Sequence, residues 1–502
     1  MAVAQVCCVD NERPGTHTLG GRWFCEEHYK KATYHRKGVW RSGVILIVGL
    51  AIFVAAVVAV DQLVKPQLAG VVLVLVGLVL ALVPAVVWQV FFYIQDQLEP
   101  EPVGDVVKMF VIGLALAGAI GLPLTNQLFA VQTWIYRSPL TTWLASIFIN
   151  GAVEAFTVYA TVRYFMFDEP EFDERTDGVI YCTAAALGYA TAFNLQFILS
   201  NGGAALGSTE IFVTAVAMAH AAFGGLMGYF LGRAKLEHDP IWWLPLGLTL
   251  TALLNGLFLI VRGTVVTSTL QFAGPGPALP SFNGLILAGA LALVVTVLVS
   301  YLIRRDIDRS LEDKQPPVIH DPVVRKREAN YATIGVFAVM LVIGGLAWSG
   351  AENQSTAFNV SGIQGSYPAY YSVATQPGDV LRVADTFGTG SEFVISTTAL
   401  TAGQDATAVA DQLAGTRSTS FNLYKVLSTG HAPVGGQTAL TQRFAYVDAN
   451  GLTGAVPQVH QGIDYIFVDS NGKATVVTLV STPDELPTVQ PLFANFLNSL
   501  KF

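Results

Sequence analysis

Glu154 and His220 each fall near the middle of a long apolar stretch, where hydrocarbon would exclude an ionisable side chain. Charge at bilayer depth costs several kcal/mol, so such residues face a protein interior or a wet cavity and act there. A carboxylate and an imidazole can ligate a metal together, or one can activate water while the other orients it. Two ligands are fewer than the three protein donors usual for a catalytic zinc, so on side-chain chemistry alone the pair is incomplete. Polar residues recur around it at helical spacing. Asn150, Glu154, Thr157 and Thr161 share one face of their segment, Thr191 and Asn194 lie on the next, and Thr251 and Asn255 on a later one. The threonines and asparagines read as hydrogen-bond links between helices. Gly224, Gly228 and Gly232 continue the His220 face as a small-x-x-x-small stripe, which predicts a close helix contact.

A second group of chemistry-bearing residues lies in the polar segment 1–40. Cys25-Glu26-Glu27-His28 is a C-x-x-H pair preceded by the turn-like Gly20-Gly21, and upstream stand Cys7, Cys8 and His17. Tetrahedral zinc takes four sulfur or nitrogen ligands, commonly as two close pairs. The second pair is regular here and the first is not, because Asp10 or Asn11 stands where C-x-x-C would put its second cysteine. Cys8, His17, Cys25 and His28 are the expected ligand set, with Cys7 as an alternative. A module this small cannot fold on apolar burial alone, so the zinc is read as structural. The segment resembles a truncated treble-clef or LIM-type knuckle.

These residues need a frame, and composition supplies its class. Of 502 residues 52% are apolar and only 13% charged, about half the charge of a soluble domain. About nine stretches are long and apolar enough to cross a bilayer core of roughly 30 Å. They run near 43–63, 69–94, 107–129, 139–165, 178–200, 209–232, 241–261, 284–303 and 331–349. The fold expected is an all-α polytopic membrane bundle over 41–349, followed by an α+β soluble domain over 350–502. Residues 1–40 lack the apolar core of a cleavable signal peptide. Lys30, Lys31, Arg36, Lys37 and Arg41 flank the first span, and Arg304 to Arg327 precede the ninth. The alternate loops hold only Lys65, Arg137 and Arg262. The positive-inside rule therefore predicts a cell-membrane protein with a cytoplasmic N-terminus and an extracytoplasmic 350–502. A net charge of -8 without a basic domain gives no reason to expect a nucleic-acid partner.

Three ordered blocks resemble the PrsW family of intramembrane proteases. Phe172 to Tyr181 (FDERTDGVIY) is similar to the family's acidic stretch leading into D-G-I-x-Y. Leu187 to Asn194 (LGYATAFN) follows its L-G-F-A-x-x-E-N, and His220 to Lys235 (HAAFGGLMGYFLGRAK) its H-A-x-F-x-x-x-x-G-Y-x-L-G-x-A-K helix. The resemblance covers about 140–262 and implies a membrane-embedded peptidase. Its E-E-x-x-K motif reads Glu154-Ala155-Phe156-Thr157-Val158 here, the glutamate of E-N is Phe193, and the histidine of the last helix is Asn255. Glu154 and His220 thus remain of four groups, with Asn255 as a weak substitute. This implies a catalytically degenerate relative acting in recognition or scaffolding. The alternative is an active metalloprotease built on Glu154, His220 and Asn255, with zinc in the bundle and membrane-protein or peptide substrates. A transporter would usually show internal repeats or broken helices at mid-bilayer; neither is clear here, though Pro84 and Pro123 interrupt spans.

In the outer domain Ile463–Val468 and Ala474–Val480 read as strands joined by the turn Asn471-Gly472, a strong hairpin signal. Residues 405–413 and the periodic Leu492, Phe493, Phe496, Leu497 and Leu500 read as helices, and 349–365 as a linker. The pattern loosely resembles PsbP-like domains, and His431 and His460 read as surface residues.

Overall fold

The structure is a computed structural model that describes residues 6–10, 12–34, 39–64, 66, 68–96, 98–135, 138–200, 206–237, 239–264, 280–312, 323–385, 391–401, 404–448, 458–469, 472–483 and 485–501. Two compact units emerge: Met1–Val131 with Trp143–Leu346, and Gln132–Thr142 with Ala347–Phe502.

The first unit opens with a hairpin, β1 (His17–Leu19) and β2 (Arg22–Phe24), and a short helix, α1 (Glu26–Tyr34). Gly20 and Gly21 both have positive φ, 58° and 75°, as a two-residue turn of this hand requires. Along the chain follow α2 (Val39–Leu63), α3 (Gly70–Tyr93), α4 (Val103–Leu116), α5 (Pro139–Ala145), α6 (Ala152–Phe165), α7 (Asp177–Ser200), α8 (Leu206–Leu236), α9 (Trp243–Thr264), α10 (Pro280–Glu312) and α11 (Val323–Asn353), of which the first residues of α5 and the last of α11 belong to the second unit.

Among the described residues nine helical stretches are long and apolar enough to cross a membrane. The most apolar of them is the least buried, and the three of lowest hydropathy are the three most buried. Arg41–Leu63, with mean hydropathy 3.1, is only 11% buried, whereas Pro139–Phe165 and Asp177–Ser200, at 1.3, are each 67% buried. Helices apolar all round suit acyl chains, and the three carrying Glu154, Asn194 and His220 form the centre. The glycine stripe makes the central contact. A methyl group on Gly228 would overlap the Gly178 carbonyl, and one on Gly224 would meet Ala186 and Cys182, so α7 and α8 touch at backbone distance.

Two spans contain π-helical turns. Ala117–Gly121 and Leu124–Leu128 flank Pro123, whose missing N–H breaks the regular ladder. Ser146–Gly151 joins α5 to α6. Pro84, by contrast, lies inside an unbroken α3, contrary to the interruption expected from sequence.

The second unit holds β3 (Ser355–Val360), β4 (Ile363–Pro368), β5 (Ser372–Val373), β6 (Asp379–Ala384), β7 (Glu392–Ala399), α12 (Ala406–Ser420), β8 (Asn422–Val434), β9 (Gln437–Asp448), β10 (Gln458–Val468), β11 (Lys473–Ser481) and α13 (Leu486–Ser499). Seven strands form an antiparallel sheet in the order β5-β6-β7-β11-β10-β9-β8. Val477 and Leu479 pack with Phe493 and Phe496 of α13, while Val476 and Ala474 pack with Val409 and Ala410 of α12. Alternate residues of β11 therefore serve opposite faces, which explains its nearly continuous apolar run. The expected hairpin forms, with Ile463 opposite Leu479 and Gly472 at φ 74°; Asn471 lies outside the described residues. The early helix is longer than its predicted 405–413 and is capped by Asp405, whose side chain accepts from the Ala408 N–H at 2.9 Å. The expected linker 349–365 is instead structured, as the end of α11 and the β3–β4 hairpin.

Candidate functional site

Glu154 stands in the first turn of α6, directly after the π-helical Ser146–Gly151. A methyl group on Gly151 would overlap the Ala252 carbonyl, and one on Gly256 would overlap Ile147, so α9 lies hard against this irregular turn. Asn255 sits between those two α9 contact positions and is buried. His220 enters from α8.

The two ionisable groups meet. Glu154 Oε2 lies 3.2 Å from His220 Nε2, with side chains 12% and 8% exposed. His220 Nδ1 is 2.8 Å from the Val216 carbonyl oxygen, which can only accept, so Nδ1 carries a proton. Nε2 then faces the carboxylate, and a proton must lie between them on one group or the other. Tyr189 and Phe193 close the site, their ring centroids 6.1 and 6.3 Å from that of His220 and their planes tilted by 26° and 29°. The neighbouring threonines do not link helices as expected. Thr157, Thr161 and Thr191 donate to Val153, Thr157 and Leu187 carbonyls four residues back on their own helices, at 2.7, 2.8 and 2.8 Å. A hydroxyl this close to its own ladder bonds locally first. Asn194 does cross, from Nδ2 to the Val213 carbonyl at 3.3 Å.

At the N-terminus the structure gathers a ligand set different from the expected one. Cys7 Sγ and Cys25 Sγ each lie 3.3 Å from His28 Nδ1, and Asp10 Oδ2 is 3.6 Å from the same nitrogen. One atom from each of Cys7, Asp10, Cys25 and His28 lies within 4.8 Å of all the others. The His28 N–H points at Cys25 Sγ and, as the leading cause, holds that thiol below its usual range, favouring the thiolate a metal needs. Cys8 and His17 are elsewhere. Cys8 lines a cavity facing the bundle, and burial pushes its thiol up. His17, on β1, stacks on Tyr29 at 4.4 Å and pairs with Glu26 at 3.4 Å. The chain turns at Cys8, and of the two neighbouring cysteines only Cys7 is in the group with Asp10, Cys25 and His28.

A third constellation was not anticipated. Arg22 of β2 reaches the bundle, 2.7 Å from Glu99 and in a closer buried pair with Glu174. Beneath it Asp96, Glu101 and Asp177 bring one carboxylate oxygen each within 4.8 Å of one another, all buried. Burial is the leading cause that pushes Glu99 up to about 8 and Glu101 up to about 7. The signal was present in sequence as two acidic runs, 95–106 and 168–177, in loops predicted to share one side of the membrane.

Comparison with known proteins bears on the bundle. A family model described as PrsW family intramembrane metalloprotease matches residues 101–274. Protease PrsW of Geobacillus kaustophilus is 33% identical over 159 residues, covering 30% of this chain and 64% of that relative, just under two thirds of its length. Protease PrsW of Halalkalibacterium halodurans is 32% identical over 180 residues, covering 36% of this chain and 79% of the relative. The chain belongs to the PrsW family. It is a multi-pass membrane protein of that family, and the match takes in Glu154, His220, Asn255, Glu101 and Asp177. Protease PrsW of Bacillus subtilis is 28% identical over 179 residues, covering 35% of this chain and 77% of the relative. The solution structure of cyanobacterial PsbP from Synechocystis matches 29% of this chain and 91% of its own at TM-score 0.24 and 15% identity, too slight a likeness to support any argument.

PrsW-family kinship brings a metal into question. Among the described residues, neither group of three or more histidine, cysteine or carboxylate side chains includes Glu154 or His220. Ala155 and Val158, standing where the family motif has glutamate and lysine, are packed in the apolar core. Two donors do not match the three protein ligands of a catalytic zinc site.

Proposed function

We propose that this chain is a catalytically degenerate PrsW-family protein that recognises a transmembrane or membrane-proximal peptide segment in its bundle without cutting it. The observation that carries this reading is the Phe193 ring against the His220 imidazole, at the position of the family's E-N glutamate. A phenyl ring neither ligates metal nor transfers a proton, and it makes the wall of the site apolar. Glu154 and His220 then serve as a buried ion pair that holds α6 and α8 in register.

A second reading is kept because Asn255 stands on the α9 surface that touches Ser146–Gly151. In it Glu154, His220 and Asn255 form the residual site of an active intramembrane metallopeptidase, Asn255 using its carbonyl as a weak ligand or its amide to polarise the scissile bond.

One comparison separates them: membrane-protein fragments from cells carrying wild type or Glu154→Gln, together with partners captured by crosslinking. Recognition without cleavage predicts identical fragments and retained partners. Fragments that vanish in Glu154→Gln would sink it in favour of the peptidase.

Around the bundle, the N-terminal module is proposed to hold a structural zinc through Cys7, Asp10, Cys25 and His28. A sulfur and a nitrogen on one tetrahedral zinc lie roughly 3.5 Å apart, which supports that set over Cys8 and His17. The positive-inside bias supports a cytoplasmic N-terminal module and an extracytoplasmic 350–502, read as a partner-recognition unit.

A further inference from the structure

Asp96 is 4% exposed, and neither of its carboxylate oxygens has a hydrogen-bond partner. One of them points at oxygens of Glu101 and Asp177, all within 4.8 Å. Asp177 is fully buried; its Oδ2 accepts from the Asp173 and Glu174 N–H groups at 2.8 and 2.5 Å, while its Oδ1 has no partner. Glu101 accepts from the Tyr181 hydroxyl. Three carboxylates thus converge, with unsatisfied oxygens turned toward one point in a space without water access at Asp96 and Asp177. Arg22 pairs with Glu99 and Glu174. Leaving buried charged oxygens unpaired costs several kcal/mol each, a cost that a bound cation or protons shared among the acids would remove.

The geometry fits a metal ion. Oxygens around one Ca2+, Mn2+ or Mg2+ lie roughly 3 to 5 Å apart, and such ions prefer carboxylate donors to sulfur or nitrogen. A way in exists: a cavity of about 490 Å³ between the N-terminal module and the bundle is lined by Cys8, Arg22, Glu99, Glu101 and Asp173. We propose that Asp96, Glu101 and Asp177 bind one hard divalent cation at the end of the bundle capped by the N-terminal module. The ion ties the segment after α3 to the start of α7 and offsets the mutual repulsion of three acids that Arg22, paired with Glu99 and Glu174, does not neutralise. This site is distinct from Glu154–His220 and stands whichever reading of that pair holds.

The test uses the full chain in detergent, titrated with Mn2+ near neutral pH and followed by electron paramagnetic resonance. Wild type should show one saturable site per chain. Asp96→Asn replaces a charged donor that makes no other bond by a neutral amide oxygen and should weaken binding about tenfold or more. Glu154→Gln should leave it unchanged. Thermal unfolding gives a second readout: Mn2+ should raise the wild-type midpoint and leave that of Asp96→Asn where it was. Absence of saturable binding in wild type, which would mean the acids share protons instead, overturns the proposal even if Asp96→Asn does not fold. So does binding that Asp96→Asn leaves intact.

Discussion

The Phe193 ring lies beside the imidazole of His220, centroids 6.3 Å apart and planes 29° from parallel, one turn along α7 from Tyr189, which flanks the same imidazole. Position 193 is therefore a wall of the Glu154–His220 site, and a carboxylate placed there would face the pair. Phe193→Glu combined with Asn255→His should give the bundle about one zinc ion per chain, the third and fourth donors completing a site. Elemental analysis in a Cys25→Ser background, which removes the N-terminal contribution, measures it. A bundle still without zinc would count against position 193 as part of the site.

The Glu154–His220 pair should matter for stability as well. Glu154→Ala leaves the imidazole buried without its partner and should cost about 3–5 kcal/mol, while Glu154→Gln, which keeps a hydrogen-bond acceptor, should cost less. Reversible unfolding in mixed micelles compares the two. Equal and negligible losses would mean that the pair is not closed in the folded protein.

The two zinc ligand sets make opposite demands on neighbouring residues. Cys7→Ser and Cys25→Ser should each release the N-terminal zinc, whereas Cys8→Ser and His17→Ala should retain it. Zinc content of the purified variants, measured after dialysis, reads this directly. Loss in Cys8→Ser with retention in Cys7→Ser would restore the set expected from sequence.

Arg22 is the one side chain of the N-terminal hairpin paired with both Glu99 and Glu174. Arg22→Met should leave those carboxylates without their cation, at a cost of about 3–5 kcal/mol. The loss should appear as faster amide exchange in residues 16–33 and 168–176, with the rest of the bundle unchanged. Exchange in Arg22→Met that matches the wild type in both segments would show that the dock does not depend on this ion pair.

Much of this protein was legible from residue order because the governing terms are local. Nine apolar runs of bilayer length announced the nine helices that, among the described residues, are long and apolar enough to cross a membrane, and an acid and an imidazole within two of them announced that both face inward. Spacing of four between Gly224, Gly228 and Gly232 marked the α8 face that meets α7. Two apolar runs joined by a turn dipeptide marked the β10–β11 hairpin, and a period of 3.6 marked α13.

Other features depend on which distant segments meet, and no local period encodes that. Cys7 and Cys8 are chemically identical neighbours; only the packed hairpin decides which faces His28 and which faces the bundle. Thr157 and Thr161 found partners on their own helix, because a carbonyl four residues back is always within reach and one on another helix is not. Asp96, Glu101 and Asp177 lie up to 81 positions apart, and their convergence follows from α3, α4 and α7 ending together on one side of the bundle. Sequence by itself determined which segments are long and apolar enough to cross a membrane and which side chains must avoid lipid, since hydrophobic transfer acts on each segment separately. Tertiary structure alone decided which acids, thiols and rings share a site, since that is set by the packing of helices far apart in the chain.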